Sequence, residues 1–344
     1  MHLKKACCTL GLAAIATIGS ASAQQAPDLK GQRITLAEFG GSLGPTVKQA
    51  LLDPFEKATG AKVNRDSPNP KAKLKAMVEA KNVVWDVYTE DAAYITQHCG
   101  TLFEKVDTSA FIAAGIDKRF VNNECGVPGV VVGFVFAYNE GKVRASPPKS
   151  WADFFDLKKF PGKRAIHNNV VNGALEMALL ADGVPAEKLY PLDLDRAFRK
   201  LDTIKSSILW TQSSGGLTDA LVNNQVDYAL SYSGRVYAAA KAGAKVALVK
   251  DQQILSWDQY AVVKGTKNKA AAEALLRSIA QPEPQRHLSE LTSYAMANST
   301  SPPQLDALSA RFLPSRENAV FQDMAWWAKN YDQINQRFVT WQSQ

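Results

Sequence analysis

The stretch "RITLAEFGGSLGPTVKQALLDPFEKATG", Arg33 to Gly60, decides how the rest of the chain is read. Ile34 to Phe39 reads as a strand and Pro45 to Thr59 as a helix. Pro45 sits near the first helical turn, where its missing N–H does no harm, and Gly60 closes the helix. Between them Gly40-Gly41-Ser42-Leu43-Gly44 spells G-x-S-x-G. A strand, a tight glycine turn and a helix are what a hydrolase nucleophile elbow requires. A turn whose free backbone N–H groups receive a ligand requires the same elements. Ser42 is thus either a nucleophile or a ligand contact, and the motif alone does not decide.

Upstream, Lys4 and Lys5 precede an apolar run from Leu10 to Ile18, and Ala21-Ser22-Ala23 stands before Gln24. This predicts a secretory signal over residues 1–23, too short for a permanent membrane anchor, and a soluble periplasmic protein starting at Gln24. Cys7 and Cys8 lie upstream of the apolar run, the wrong place for a lipid-modified N-terminus. Beyond the signal only Cys99 and Cys125 remain, an even pair in an oxidising compartment, so a disulfide is expected. A metal pair lacks further Cys or His ligands nearby. Without Lys4 and Lys5 the chain carries 38 basic and 33 acidic residues, a balance of +5. The charges are well mixed, with no basic run interleaved with aromatic residues, which argues against nucleic-acid binding.

Short apolar segments alternate with helical ones: "RITLAEF", "WDVYTED", "VVVGFVFAYN", "KRAIHN", "VDYALSY", "KVALVK" and "WDQYAVVKG", with helices such as Lys71 to Lys81, Gly216 to Asn223 and Lys269 to Ala280 between several of them. The alternation predicts α/β architecture with largely parallel sheets, and ligands in such sheets sit beyond the carboxyl ends of the strands. The length suits two lobes around a shared cleft. Crossings between lobes are expected near Ala137 to Asn139 and near Ser256 to Tyr260. Lobe 1 then comprises residues 24–137 plus 256–301, and lobe 2 comprises 138–255 plus 302–344. In "DMAWWAKNYDQINQRFVTWQ", Met324, Trp327, Tyr331, Ile334, Phe338 and Trp341 form one helical face, read as core packing.

The enzyme reading needs a histidine base and an orienting carboxylate. His98 abuts the expected disulfide, His287 lies in a helix-like segment, and His167, after "KRAI", is the one attractive candidate. The motif also follows the first strand of the exported chain, whereas an elbow serine normally follows a central strand. No H-E-x-x-H, G-x-x-x-x-G-K-[ST] or G-x-G-x-x-G occurs, so metalloprotease, P-loop and dinucleotide readings have no support. An exported serine hydrolase using Ser42 stays as the alternative to a non-catalytic binding protein that needs no cofactor and no metal.

Taken together, "FGGSLGPTVKQALLDPFEKATGAKV", "WDVYTED", "YNEGKVRASPPKSWADFFDLKKFPGKRAI", "EMALLADGV", "VDYALSYSGRVY" and "WDQYAVVKGTKNKAAAEALLRSIA" resemble the periplasmic solute-binding proteins of ABC importers, in the spermidine/putrescine branch. The resemblance implies a two-lobed α/β clamp of the type II periplasmic binding protein fold. Such a clamp works as a monomer, closing about a hinge of two crossings and delivering one small solute to an inner-membrane permease. It makes Gly41, Ser42 and the backbone amides around them part of the cleft's first loop.

Phe39, Asp91, Asp258 and Tyr294 match cleft positions of the family, whose polyamine binders hold ammonium groups with several carboxylates and flanking rings. Where those proteins carry an acidic pair on the second lobe, this chain has "HNNVVNGALEMAL", and Arg235 in "SYSGRVY" would repel a polycation. An Arg in a cleft suits a carboxylate. Arg235 opposite Asp258 resembles the arrangement in members that take γ-aminobutyrate. The expected assignment gives Arg235 the carboxylate, gives Asp258 and Asp91 the amine, and makes Phe39, Trp210 and Trp257 the walls, with polyamine binding as the main rival within the fold. The duller readings are an ion pair of Arg235 with Asp227 or Asp258, Glu90 and Asp91 capping the next helix, and Trp257 facing a core, since strand alternation sets it opposite Asp258.

Overall fold

The computed structural model describes residues 26–40, 43–143 and 146–344. The expected signal segment lies outside the described residues, as do Gly41 and Ser42. Eleven strands are described: β1 (Arg33–Ala37), β2 (Lys62–Asp66), β3 (Val87–Asp91), β4 (Gly126–Asn139), β5 (Arg164–His167), β6 (Ile208–Thr211), β7 (Tyr228–Tyr232), β8 (Val246–Leu248), β9 (Ile254–Val262), β10 (Ala295–Met296) and β11 (Val320–Phe321). The main path runs β2-β1-β3-β9-β4-β7-β5-β6.

This order contains the same arrangement twice. In the first half β1 lies between β2 and β3, all parallel; in the second, β5 lies between β6 and β7, again all parallel. Between the halves run β9 and β4, antiparallel to β3, to each other and to β7. The sheet is therefore mixed rather than largely parallel, because the strands shared by both halves enter from opposite sides. β4 pairs with β9 from Gly126 to Phe134 and with β7 from Phe134 to Tyr138. It changes partner ahead of the Ala137 to Asn139 segment. β9 pairs with β4 from Ile254 to Ala261, with a register shift between Pro128 and Val131, and on its other side with β3 from Asp258 to Val262.

The helix foreseen from Pro45 to Thr59 is continuous but contains a π turn, Lys48–Leu52, before its last segment Asp53–Thr59. Pro54 is the cause. It has no N–H to donate and its ring would collide with the carbonyl four residues back, so the preceding turn widens. Gly60 ends the helix in the left-handed conformation at φ 77°.

The C-terminal helix, Met324–Ser343, packs the predicted stripe into the body, with Met324, Trp327, Ile334, Phe338 and Trp341 buried. Trp341 Nε1 donates to Asp202 at 2.7 Å, and Trp327 Nε1 donates to Glu176 Oε1 at 2.7 Å. From the other half, Gln97 Nε2 donates to Asp332 at 2.9 Å. The Sγ atoms of Cys99 and Cys125 lie 2.03 Å apart, tying the end of the helix Ala92–Gln97 to the start of β4. No helix among the described residues is long and apolar enough to cross a membrane.

Candidate functional site

Each half ends its parallel strands at one central cavity of about 460 Å³. That volume lies within the range of small-molecule sites, roughly 300–1,000 Å³.

On the first half, β1 runs into Glu38, Phe39 and Gly40. Gly40 has φ +74°, and a Cβ there would also sit 2.9 Å from the Ser67 side chain, so both conformation and space require glycine. Glu38 is buried and held by the Arg65 guanidinium, whose Nε lies 2.7 Å from Oε1. That guanidinium passes over Gly44, where a Cβ would run into its Nη2. The glycines at both ends of the G-x-S-x-G motif thus have a structural cause: one makes the turn and the other admits Arg65. Phe39, 40% exposed, projects onto the cavity wall.

At the end of β3, Glu90 and Asp91 line the same cavity. Asp91 Oδ1 accepts from Tyr94 N at 2.9 Å and caps the next helix, so the capping reading holds while the residue also reaches the cleft. Lys71 Nζ lies 3.5 Å from Glu90 Oε2 and 3.7 Å from Asp91 Oδ2. Asp258, opposite Asp91 in the β3–β9 register, is half-buried on the cavity wall. Burial, and then the neighbouring charge of Asp91, push its carboxyl up to about 7.

The second half supplies His167, Asn169, Val171 and Asn172 after β5, Ser213 to Gly215 after β6, and Tyr232 and Arg235 after β7. Ser213 Oγ accepts from Gly216 N at 3.2 Å and caps the helix Ser214–Val222, which starts at the cavity. His167 accepts the Asn169 N–H on Nδ1 at 2.9 Å. Burial lowers the imidazole to about 4, so it is neutral at pH 7 and its proton sits on Nε2. Arg235, in the first turn of the helix Ser233–Lys241, hydrogen-bonds the Tyr294 side chain, which packs against Gly234. Phe134 and Tyr232 meet edge to face, centroids 5.1 Å apart, between the two halves.

Of the residues expected at the site, Phe39, Asp91, Arg235, Asp258 and Tyr294 come together on this wall. Two do not. Trp257 is buried against Phe120, centroids 5.2 Å apart, because regular alternation along β9 sends Ser256 and Asp258 to the cavity and Trp257 to the other face. Trp210, on β6, packs edge to face on Phe338 and Trp341 of the C-terminal helix. The acid of "GALEMAL", Glu176, is also remote from the cavity: it is wholly buried and accepts from Tyr190, Gln322 and Trp327. Sequence reasoning missed Tyr232, Phe134 and the Ser213-Ser214 turn. "LWTQSSGG" held a usable signal for the last, being strand, small capping residues and helix, like the Gly40 turn.

A family profile described as bacterial extracellular solute-binding protein matches residues 50–312. The chain belongs to that family. It is 35% identical over 346 residues to the gamma-aminobutyric acid-binding protein of Pseudomonas aeruginosa, covering 96% of this chain and 95% of that protein. The solved structure of a GABA receptor matches with a TM-score of 0.83 at 38% identity, over 90% of this chain and 98% of that one. An ABC transporter substrate-binding protein from Bradyrhizobium japonicum matches with a TM-score of 0.83 at 32% identity, over 90% and 99%. The fold of this solute-binding protein is the two-lobed periplasmic type. Its relatives favour solute capture over ester hydrolysis at the Ser42 turn.

Proposed function

We propose that this solute-binding protein captures γ-aminobutyrate or a closely related ω-amino acid and delivers it to an ABC permease. The observation that carries the reading is the polarity of one cavity. Its first-half wall holds Glu90, Asp91 and Asp258, and its second-half wall holds Arg235 and a serine-capped helix start. A zwitterion laid across it meets a carboxylate at one end and a guanidinium with helix N–H groups at the other. In this assignment Arg235 grips the ligand carboxylate, Asp258 with Asp91 beside it takes the ammonium, and Phe39, Phe134 and Tyr232 flank the methylenes. Tyr294, bonded to Arg235, orients the guanidinium. Gly41 and Ser42 are assigned as ligand contacts, with no covalent chemistry given to Ser42.

The same proposal includes export by residues 1–23, a disulfide between Cys99 and Cys125, a monomeric clamp, and lobes of 24–137 plus 256–301 and 138–255 plus 302–344. The relatives' names support the ligand class, and the 2.03 Å between the Sγ atoms supports the disulfide. Thermal shifts of the chain from Gln24 onward test the ligand class, because a ligand of the folded state raises the melting temperature by mass action. γ-Aminobutyrate and its longer homologues are expected to stabilise, and putrescine and spermidine not to. Stabilisation by polyamines alone would overturn the assignment of Arg235.

A further inference from the structure

We infer that Lys71 is a resident cation that sets the number of ammonium groups the cleft accepts: it engages Glu90 and Asp91 from outside the cavity and leaves Asp258 to the ligand amine. The inference rests on the ω-amino acid reading above and explains how that site, with three carboxylates on one wall, takes a single ammonium.

The placement of Lys71 carries the argument. It heads the helix Lys71–Glu79, whose first turn holds no acidic residue. A lysine there opposes the helix dipole, so its position needs another cause. Its ammonium lies 3.5 Å from Glu90 Oε2 and 3.7 Å from Asp91 Oδ2. It also sits 4.3 Å from the centroid of the Tyr94 ring and 5.8 Å from that of Tyr331 on the C-terminal helix. Two carboxylates and two aromatic rings are what a bound alkylammonium asks for, and here the chain supplies the ammonium itself. Glu90 and Asp91 line the cavity, and Lys71 is not among its lining residues.

The remaining oxygens of the two acids are also engaged. Asp91 Oδ1 caps the helix at Tyr94 N, and Glu90 Oε1 accepts from Asp91 N at 3.1 Å. Asp258 is treated differently: burial and the Asp91 charge raise it, and among the described residues no hydrogen bond offsets them. Glu90 is raised to about 8 by burial even beside Lys71, so without Lys71 the second pole beside Asp258 would be Asp91, with the Glu90 carboxyl next to it to be ionised by the second ammonium of a diamine.

The test is calorimetric titration of the chain from Gln24 onward, as the unaltered protein, Lys71→Met and Lys71→Arg, with γ-aminobutyrate and putrescine at pH 8. Lys71→Met should shift the ratio of putrescine to γ-aminobutyrate affinity by about ten-fold or more towards the diamine, since one buried charge partner is exchanged for another. Lys71→Arg should keep the original ratio, and adding Glu90→Gln to Lys71→Met should abolish the gain. The Lys71 side chain is about one-third exposed, so folding is expected to survive, and Lys71→Gln serves if the methionine variant does not fold. An unchanged ratio in Lys71→Met, with γ-aminobutyrate still bound, overturns the role of Lys71. Failure of the unaltered protein to bind γ-aminobutyrate overturns the ligand reading instead, and tight putrescine binding by the unaltered protein overturns both.

Discussion

The two halves of the sheet share one topology and differ in charge at corresponding strand ends. After its third strand the first half places Glu90 and Asp91, where the second half places Tyr232 and, one helical turn on, Arg235. After its second strand the first half starts a helix with Lys71, where the second half starts one with Ser213 and Ser214. After the first strand each half has a left-handed glycine, Gly40 at φ +74° and Gly173 at φ +83°. The backbone device is repeated and the chemistry is inverted. A cleft between two such halves is polar along its length by construction, which suits a ligand with opposite charges at its ends better than one with like charges.

The largest expected effect breaks that inversion. Arg235→Ala and Asp258→Asn should each weaken γ-aminobutyrate about 30-fold or more, because truncating one member of a buried charge pair costs roughly 2–5 kcal/mol. Arg235→Glu should abolish ω-amino acid binding and leave the melting temperature of the ligand-free protein close to its original value. Calorimetric titration reads the first outcome and circular dichroism melting the second. A large loss of stability in Arg235→Glu would make Arg235 a structural residue and the inversion incidental.

The halves also differ in their cysteines, since Cys99 and Cys125, with Sγ atoms 2.03 Å apart, both lie in the first half. Replacing both cysteines by serine should lower unfolding stability by about 3 kcal/mol on the loop-entropy model for a span of this length. The measurement is denaturant unfolding monitored by tryptophan fluorescence. The loss should fall on Trp85 and its neighbours, buried with Cys125 in the same cluster, before the C-terminal helix. Simultaneous loss of both regions would mean that the Gln97–Asp332 contact and the shared strands fuse the halves into one cooperative unit.

How far all this was legible in the sequence depends on burial. Six of the seven strands read from the sequence lie inside the main path of the sheet, where apolar runs are long; the seventh, β8, pairs with β4 off that path. The two strands of the main path that were missed, β2 and β6, are its outer edges. β2, "KVNRD", is largely exposed and charged, and β6, "ILWT", is short and half-covered, so neither carries the pattern of a buried strand. Asp258 and Arg235 were expected in the cleft and both line the cavity: Asp258 is the one charged residue within β9, and Arg235 stands in the first turn of a helix that starts there. Trp210 and Trp257 were misplaced because tryptophan suits a core as well as a cleft wall, and alternation along β9 had already argued for the core. Lys71 gave no signal, because its role depends on Glu90, Asp91, Tyr94 and Tyr331, brought together only by folding.

The smallest expected effect sharpens the inversion by titrating one side of it. Burial and the Asp91 charge raise the Asp258 carboxyl to about 7, whereas an ammonium in contact requires it ionised. Below pH 7 binding must therefore expel a proton, and γ-aminobutyrate affinity should fall about ten-fold between pH 8 and pH 6. The ligand's own groups keep their charges across that range, and His167, lowered to about 4, stays neutral. Calorimetry in two buffers of different ionisation enthalpy should show proton release at pH 6 and little at pH 8. The sign for stability is opposite. Between about pH 4 and 7 the folded protein holds the Asp258 proton that the unfolded chain has lost, so this residue's contribution to stability declines as pH rises. At pH 8 the ligand-free Asp258→Asn variant should melt above the unaltered protein, and at pH 5, where the aspartate is already neutral, the two should converge. A uniform difference at both pH values would remove Asp258 as the titrating group and leave Glu90, also raised by burial, as the carboxyl that answers to pH.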